Sequence, residues 1–192
     1  MIIWLNGTFG VGKTTTSKKL AAALPDARVF DSETVGFMLR PVLGPIIPVR
    51  DFQDWRPWRH LVVETAAQLL DYVGGTLVIP QSVLVEEYWD ELHSGLHKAG
   101  IPVRHFALHA AHDTLVQRIE TDTVETGARQ WRLDHLADYR QNLPWLRRRA
   151  QVVDTTNSTP AEVAALICAT VTPPEAAAPD STTDAADASA AS

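Results

Sequence analysis

Short apolar runs alternate with segments of helical periodicity along most of the chain. The apolar runs predict five strands, at residues 2–5, 28–30, 76–79, 103–108 and 151–154. The segments between them carry apolar residues three and four positions apart, which is the spacing of a helix with one buried face. Because helices separate the strands, the pattern predicts an α/β fold with a five-stranded parallel sheet covered by helices on both faces.

The same spacing predicts where the helices lie. They are expected at residues 13–24, 59–73, 86–99, 113–120 and 132–142. A last helix begins at the capping box Thr159-Pro160-Ala161-Glu162, with proline at the first helical position. Residues 32–58 are expected to be irregular, because prolines interrupt helices. The prolines of this segment are Pro41, Pro45, Pro48 and Pro57.

The first strand runs directly into a glycine-rich turn, and a helix follows at once. The turn reads Gly7-Thr8-Phe9-Gly10-Val11-Gly12-Lys13-Thr14-Thr15, which contains a G-x-x-x-x-G-K-T pattern. Its glycines allow a tight turn that points backbone N–H groups at a phosphate chain, and the helix N-terminus adds more of them. Lys13 can neutralise the β- and γ-phosphates, and the Thr14 hydroxyl can bind Mg²⁺. The sequence therefore predicts a P-loop that binds a nucleoside triphosphate over residues 7–15.

Charge and composition limit the partners and the organisation of the chain. The net charge of the 192 residues is −6, and −4 of it comes from Glu175, Asp180, Asp184 and Asp187. The remaining −2 over residues 1–172 offers no basic face for nucleic acid. The segment 173–192 is rich in Ala, Pro, Ser, Thr and Asp and cannot bury enough surface to fold alone. We therefore expect one P-loop domain at residues 1–172 and a disordered acidic tail at 173–192.

The sequence also favours a cytoplasmic location. No apolar run is long enough to span a membrane, and the opening residues 1–5 lack the basic lead-in of a signal peptide. Cys168 is the single cysteine, so no disulfide can form within the chain.

Side chains at the ends of the predicted strands are the first candidates for chemistry, because ligands of such sheets lie beyond the carboxyl ends of the strands. Asp31 follows the second strand and can accept the proton of a substrate hydroxyl or hold Mg²⁺ through water. The alternative is that Asp31 caps the following turn. The third strand ends in Pro80-Gln81-Ser82, without the aspartate that holds Mg²⁺ in many P-loop proteins. Gln81 is instead suited to a polar substrate.

The long segment 32–60 is predicted to bind the substrate, since long connections in compact domains are usually functional. Its aromatic and cationic side chains suit stacking on a planar ring and pairing with an anion. The candidates are Phe37, Arg40, Phe52, Trp55, Trp58 and Arg59. The alternative is that the tryptophans pack the segment onto the core.

Arginines around residues 120–132 are typical of a lid that closes over a nucleotide. Arg118, Arg129 and Arg132 lie beside or within this segment. An arginine near the γ-phosphate stabilises the charge of the transition state. Arg118 and Arg129 therefore join Lys13 and Asp31 as catalytic candidates, and the alternative is that each arginine is a solvated helix residue.

Three stretches of the sequence resemble the tunicamycin-resistance proteins of bacteria: MIIWLNGTFGVGKTT, FDSETVGFMLR and DFQDWRPWR. The closing stretch VDTTNSTPAEVAALI is similar to that of related small-molecule P-loop kinases, and the resemblance covers about residues 1–170. More distantly, the chain resembles chloramphenicol phosphotransferase and shikimate, gluconate and nucleotide kinases. The resemblance implies a three-layer P-loop fold of the nucleoside and nucleotide kinase type with a short lid, ATP and Mg²⁺ as cofactors, and resistance to a nucleoside antibiotic.

The resemblance also implies roles for individual residues. Asp31 takes the position of the kinase base, and Arg118 approaches adenine or phosphate. Thr155 and Thr156, with Asn157, border the nucleotide base. The acidic tail lies outside the resemblance.

The sequence thus predicts an ATP-dependent phosphotransferase that acts on a hydroxyl of a small molecule, a nucleoside antibiotic of the tunicamycin type. One alternative is an ATP-binding protein that sequesters the antibiotic without turnover. Another is a metabolic nucleoside or sugar kinase. The expected partner is a small-molecule substrate and not nucleic acid, and the protein is expected to be a monomer or a homodimer.

Overall fold

A five-stranded parallel sheet forms the centre of the computed structural model, which describes residues 1–123 and 126–172. The strands are β1 (Ile2–Asn6), β2 (Ala27–Val29), β3 (Thr76–Ile79), β4 (Val103–His109) and β5 (Gln151–Asp154). Their order across the sheet is β2-β3-β1-β4-β5, and every neighbouring pair is parallel. The predicted α/β fold with five parallel strands is therefore confirmed.

Within residues 1–123 and 126–172, seven α-helices connect and cover the strands. They are α1 (Lys13–Ala23), α2 (Glu33–Leu43), α3 (Arg56–Val73), α4 (Glu86–Lys98), α5 (His112–Glu120), α6 (Arg129–Arg149) and α7 (Pro160–Val171). Short 3₁₀ helices occupy Phe52–Asp54 and Thr126–Ala128. The predicted capping box is present at the start of α7, where the Thr159 hydroxyl accepts from the Glu162 N–H and the Glu162 carboxylate accepts from the Thr159 N–H.

The two faces of the sheet carry two hydrophobic cores. Successive side chains of a strand point to opposite faces, so Ile2 and Trp4 of β1 enter one core while Ile3 and Leu5 enter the other. The first core is built with α3 and α4, and the second with α1, α5 and α7. Because β1 is buried on both faces, its sequence is a continuous apolar run that does not alternate.

The prediction of an irregular segment at residues 32–58 is wrong. Helix α2 occupies its first part, with Pro41 inside the helix and only two helical residues after it. Gly36 lets α2 approach the 3₁₀ helix closely, because a Cβ at this position would lie 2.1 Å from Cδ2 of Phe52. Pro57 falls in the first turn of α3, where the missing N–H has no helical partner to lose. Helix α3 therefore includes Pro57, whereas the sequence predicted that the helix begins at residue 59.

Helix α6 is longer than the predicted 132–142, because it continues through Pro144 to Arg149. Trp145 and Leu146 are buried in the core on one face of the sheet, and their burial stabilises the turn that follows the proline. The carboxyl half of α6 is thereby held to the sheet.

Two predictions concern segments that the structure does not describe in full. The acidic tail at 173–192 lies outside the described residues, as do positions 124 and 125 of the proposed lid. Within the described ranges, none of the helices combines the length and apolar composition needed to cross a bilayer.

Candidate active site

The P-loop turns sharply where β1 ends, and three glycines allow it to do so. Gly7, Gly10 and Gly12 have φ values of 129°, 79° and 92°, in the left-handed region that side chains rarely adopt. A Cβ on Gly7 would also lie 2.4 Å from the carbonyl oxygen of Leu108. Helix α1 starts directly after Gly12, so its first free N–H groups and the positive end of its dipole face the turn. This arrangement is a site for phosphate groups.

Lys13 lies inside the turn and has no acidic partner within hydrogen-bonding distance among the described contacts. Its ammonium donates to the carbonyl oxygens of Gly7 at 3.0 Å and Thr8 at 2.8 Å. Burial lowers the pKa of Lys13 from 10.5 to about 7; the nearby charge of Glu33 opposes this shift, and Arg132 adds to it. A buried cation bound only to neutral carbonyls is expected to gain from an anionic phosphate chain.

The residues at the start of α1 fit a magnesium ion bound together with phosphates. Thr14 and Thr15 are exposed in the first turn of α1. Over residues 1–123 and 126–172, no group of three or more His, Cys, Asp and Glu side chains is arranged to hold a metal. The Thr14 hydroxyl would therefore be the protein ligand of Mg²⁺, and phosphate and water oxygens would complete its coordination.

A small cavity of about 180 Å³ borders the P-loop on the side of α5 and α7. It is lined by Gly10, Val11 and Gly12 together with Arg118 and Thr155. The Arg118 guanidinium donates to the carbonyl oxygens of Gly10 at 3.3 Å and Thr155 at 2.7 Å. The Thr155 hydroxyl donates to the Val11 carbonyl at 3.2 Å. The structure therefore brings together the P-loop, Arg118 and the segment after β5, which the sequence predicted to form the nucleotide site.

Thr156 lies at the edge of this region. Its hydroxyl accepts from the Ala111 N–H at 2.9 Å, and its own N–H donates to Asp154 at 2.7 Å. Hydrogen bonding from the Thr156 side chain and from its backbone N–H lowers the pKa of the Asp154 carboxyl. These bonds fix the loop that carries Thr155.

A larger cavity of about 850 Å³ lies on the other side of the P-loop. Four segments line it: Thr8 and Phe9 of the P-loop, residues 50–54, residues 82–85, and the face of α6 between Trp131 and Asn142. Cavities of this size hold drug-sized molecules. The P-loop thus separates two cavities, of which the larger can take a second substrate.

The half-buried carboxylate of Asp51 and the buried amide of Gln53 line the larger cavity beside the P-loop. The carboxylate of Asp51 accepts from the Gln53 backbone N–H at 3.1 Å and from its side-chain amide at 2.8 Å. Burial is the main cause that raises the pKa of the Asp51 carboxyl, and the nearby Asp54 raises it further. Asp51 therefore holds a proton more readily than an ordinary aspartate.

Aromatic contacts join the P-loop to α6. The ring of Phe9 lies 4.8 Å from that of Trp131 and 5.8 Å from that of His135, measured between centroids. Arg132, beside them, is buried and forms an ion pair of 2.7 Å with Asp122. Of the lid arginines, Arg132 thus approaches the P-loop, whereas Arg129 is exposed at the first position of α6.

Sequence reasoning did not identify the polar face that α6 presents to the larger cavity. This face carries Asp134, His135, Asp138 and Asn142. The three- and four-residue spacing of these polar residues after the lid was the signal available in the sequence.

Asp31 is exposed at the end of β2, at the same edge of the sheet as the P-loop. One of its carboxylate oxygens accepts from the Glu33 N–H at 3.0 Å, which is the capping contact considered as the alternative role. Asp31 lines neither of the two cavities. Phe37 and Arg40 are also exposed, and the Arg40 guanidinium lies 5.1 Å and 4.8 Å from the ring centroids of Phe37 and Phe52.

The other predicted substrate residues hold the insertion to the core in this structure. The indole N–H of Trp55 donates to the Ile47 carbonyl, and that of Trp58 donates to the Ser32 carbonyl. Trp58 is fully buried, so it cannot contact a ligand without a rearrangement of the core. The packing alternative therefore describes the contacts of both tryptophans.

Arg59 and Gln81 have similar structural contacts. Arg59 forms a two-pronged ion pair with Glu91 and lies over the ring of Tyr88, which ties α3 to α4. Gln81 is buried, and its side-chain oxygen accepts from the Ser32 hydroxyl at 2.8 Å. Neither residue lines the larger cavity, and contacts with neighbouring elements occupy their polar groups.

A P-loop at the end of the central strand of a parallel sheet, with a cavity on either side, defines a P-loop protein of the kinase-like class. Residues 2–144 match the sequence model described as an AAA domain, and the chain belongs to this family. No curated protein sequence matches the chain.

Solved structures of similar proteins agree with this class. The tunicamycin resistance protein of Deinococcus radiodurans has a TM-score of 0.66 and 30% sequence identity, over 88% of this chain and 94% of that one. A sugar kinase from Janibacter sp. HTCC2649 has a TM-score of 0.65 at 19% identity, over 88% and 92%. A shikimate kinase from Acinetobacter baumannii has a TM-score of 0.58 at 19% identity, over 88% and 92%. The first similarity confirms the resemblance predicted from the three sequence stretches, whereas the other two show the fold alone.

Proposed function

We propose that the protein is an ATP-dependent phosphotransferase that modifies a hydroxyl of a nucleoside antibiotic of the tunicamycin type and so gives resistance to it. The observation that carries this proposal is the position of the P-loop between two cavities: Gly10 to Gly12 border the smaller, and Thr8 and Phe9 border the larger. The name of the Deinococcus relative supports the choice of antibiotic. A cytoplasmic monomer or homodimer is part of the same proposal.

ATP binds with its phosphates in the P-loop and its base toward Arg118 and Thr155. The N–H groups at the start of α1 and the Lys13 ammonium hold the β- and γ-phosphates. The Thr14 hydroxyl would hold a Mg²⁺ ion, which would supply positive charge to offset the charge that develops on the transferred group. Phe9 and Arg132 keep the P-loop against α6, which excludes water from the space between the two substrates.

The acceptor occupies the larger cavity, with one hydroxyl directed at the γ-phosphate. The hydroxyl oxygen attacks the γ-phosphorus, the bond from this phosphorus to the bridging oxygen of ADP breaks, and the hydroxyl proton passes to a carboxylate. Asp31 is the proposed base, since it follows β2 at the same edge of the sheet as the P-loop and only one of its two carboxylate oxygens accepts a hydrogen bond from the described residues. If another carboxylate serves, the candidates are Glu33, Asp51 and Asp54.

The direct test is mass spectrometry of tunicamycin after incubation with the protein and MgATP. We expect a phosphorylated product with the wild type. In Asp31→Asn, we expect transfer to be slower by about 10²–10⁴-fold, the usual contribution of a positioned general base. Asparagine keeps the oxygen that accepts from the Glu33 N–H, so the melting temperature and ATP affinity should not change. Asp71→Asn, on the exposed end of α3, is the control with the same chemical change.

The outcomes separate the alternatives. Equal transfer rates of wild type and Asp31→Asn would exclude Asp31 as the base and direct the search to the other three carboxylates. Binding of the antibiotic without any phosphorylated product would contradict the proposal and support sequestration.

A further inference from the structure

The larger cavity, the proposed acceptor site, is lined by more negative than positive groups. Asp51 and Asp54 enter it from the insertion, and Asp134 and Asp138 enter it from α6, opposite a single guanidinium, that of Arg50. In the part of the chain that the structure describes, none of these four carboxylates forms an ion pair. Four carboxylates without a paired cation around one space produce a negative potential there.

A second observation points to a ligand that donates hydrogen bonds. The Thr8 hydroxyl oxygen and the Gln53 side-chain carbonyl oxygen are buried without a partner among the described residues, and both residues line this cavity. Thr8 is 1% exposed and Gln53 is 7% exposed, so solvent does not satisfy these atoms either. A buried polar atom without a partner is unfavourable, and it is satisfied when a suitable ligand binds. The amide oxygen of Gln53 can only accept, so its partner must be a donor.

The cationic side chains nearest to the cavity form no ion pairs with its carboxylates among the described residues, although His135 interacts electrostatically with Asp51. The Lys13 ammonium donates into the P-loop, and Arg132 is paired with Asp122. His135 lies between Trp131 and Phe9, with Nδ1 in contact with the Trp131 carbonyl oxygen. When ATP binds, its phosphates add further negative charge on the P-loop side. The cavity therefore remains acidic when the second substrate enters.

We infer that the acceptor cavity selects its ligand by charge: it favours polyhydroxylated molecules that carry a protonated amine, accepts uncharged ones less tightly, and rejects those that carry a carboxylate or phosphate. The inference rests on the proposed function only in taking this cavity as the acceptor site. Hydroxyl and ammonium donors match the acceptor-rich lining, while an anion would meet four like charges.

The test compares three ligands that share one scaffold. Uridine, 5′-amino-5′-deoxyuridine and uridine 5′-carboxylate differ only at one substituent, and a pyrimidine avoids the adenine site. Calorimetry is performed on protein saturated with MgADP, so that the nucleotide fills the P-loop and none of the three test ligands can bind there. We expect the amine to bind at least about tenfold more tightly than the carboxylate, with uridine between them, because a tenfold ratio requires only a modest Coulomb difference near a protein surface.

Variants identify the carboxylates that cause the ranking. Asp134→Asn combined with Asp138→Asn removes two charges from one face of α6 and should reduce the ratio of amine to carboxylate affinity several-fold. Asp71→Asn combined with Asp113→Asn changes the net charge equally at exposed positions away from the cavity and should preserve the ratio. Circular dichroism and melting temperature establish that both double variants are folded.

Each result bears on the inference. The inference would be overturned if the amine and the carboxylate bound equally or in the reverse order, or if none of the three ligands bound. It would also be overturned if the affinity ratio were unchanged in the α6 double variant. The assay measures binding and needs no turnover, so it is separate from the test of the proposed function. If the charge ranking holds while tunicamycin is never phosphorylated, the phosphotransferase proposal fails and the charge selection stands.

Discussion

The two sides of the P-loop are built in different ways. The nucleotide side, formed by residues 7–15 with Arg118 and Thr155, presents mostly backbone groups: turn N–H groups, a helix terminus and carbonyl oxygens bound by two cations. The acceptor side, formed by residues 50–54, 82–85 and 131–142, presents mostly side chains. A backbone site depends on turn geometry that any member of a family can keep. A side-chain site changes with each substitution, so specificity is expected to reside on the acceptor side.

The two sides are nevertheless connected at the end of β1. The side-chain oxygen of Asn6 accepts from the N–H groups of Gly7 at 2.8 Å and Val83 at 2.9 Å. The Ser82 hydroxyl donates to the Gly7 carbonyl at 2.7 Å. The first residue of the P-loop is thereby bonded to a wall of the acceptor cavity. Ligands in either cavity would therefore contact segments that are hydrogen-bonded to each other.

The largest expected effect is a loss of ATP affinity, from a substitution that changes only the nucleotide side. Lys13→Ala removes its buried cation and should weaken ATP binding by about 2–5 kcal/mol, the usual cost of truncating one partner of a buried charged contact. Calorimetry with MgATP measures the loss. Lys18→Ala, an exposed lysine on the same helix, should bind ATP as the wild type does. Unchanged ATP affinity in a folded Lys13→Ala protein would contradict the P-loop assignment.

The next effect distinguishes a tryptophan that packs the insertion onto the core from a tryptophan of α6 that lines the larger cavity. Trp58→Phe removes the indole donor to the Ser32 carbonyl, which still accepts from the Val35 N–H, and should lower the free energy of unfolding by about 1–3 kcal/mol. Trp131→Phe changes a partly exposed cavity residue and should alter stability by no more than about 0.5 kcal/mol. Urea unfolding measures both variants. The distinction between a structural and a cavity tryptophan would be lost if Trp131→Phe proved the more destabilising change.

A third effect concerns pH and again belongs to the nucleotide side. Phosphate binding favours the protonated Lys13, whose pKa in the ligand-free protein is about 7. ATP affinity should therefore fall by about eightfold between roughly pH 7.5 and pH 8.5, where the free protein has largely lost this proton. Lys13→Arg keeps its charge throughout and should remove the dependence. Calorimetry in buffers of different ionisation enthalpy should also detect proton uptake on ATP binding, and an absence of uptake near pH 8 would argue against it.

The same group affects stability in a defined direction. The folded pKa of Lys13 lies below its ordinary value of 10.5, so the unfolded chain binds the proton more tightly. The contribution of Lys13 to the free energy of unfolding is therefore least favourable below pH 7 and increases as the pH rises from about 7 to 10.5.

The smallest expected effect is a change in stability without a change in ATP affinity, from a substitution in the insertion. Arg40→Ala removes an exposed guanidinium from above the rings of Phe37 and Phe52 and should lower the free energy of unfolding by about 0.5–1 kcal/mol. ATP affinity should be unaltered, because the contact is remote from the nucleotide side. Arg104→Ala, an exposed arginine on β4, serves as the control in the same urea titration. A large change in ATP affinity would mean that the two sides are coupled through α2.

Sequence patterns predicted the sheet well and the insertion poorly, for a physical reason. Strands buried on both faces produce apolar runs that do not depend on distant partners, and β3, which is such a strand, matches its predicted bounds. Prolines are ambiguous, because their effect depends on position within a helix. Pro41 near the end of α2 and Pro57 at the start of α3 are tolerated where a mid-helix proline would not be.

The sequence by itself determined the P-loop, because a turn of consecutive residues is set by its own glycines and by the strand and helix that flank it. Only the tertiary structure decided which side chains face the second cavity. Asp51, Ser82 and Asp134 meet there because the fold brings the insertion, the loop after β3 and α6 to one cavity, not because of any spacing along the chain. Burial of Trp58 and Arg59 likewise depends on Ser32 and Glu91, which lie 26 and 32 positions away in sequence. A contact between distant segments leaves no local pattern, so its assignment required the folded chain.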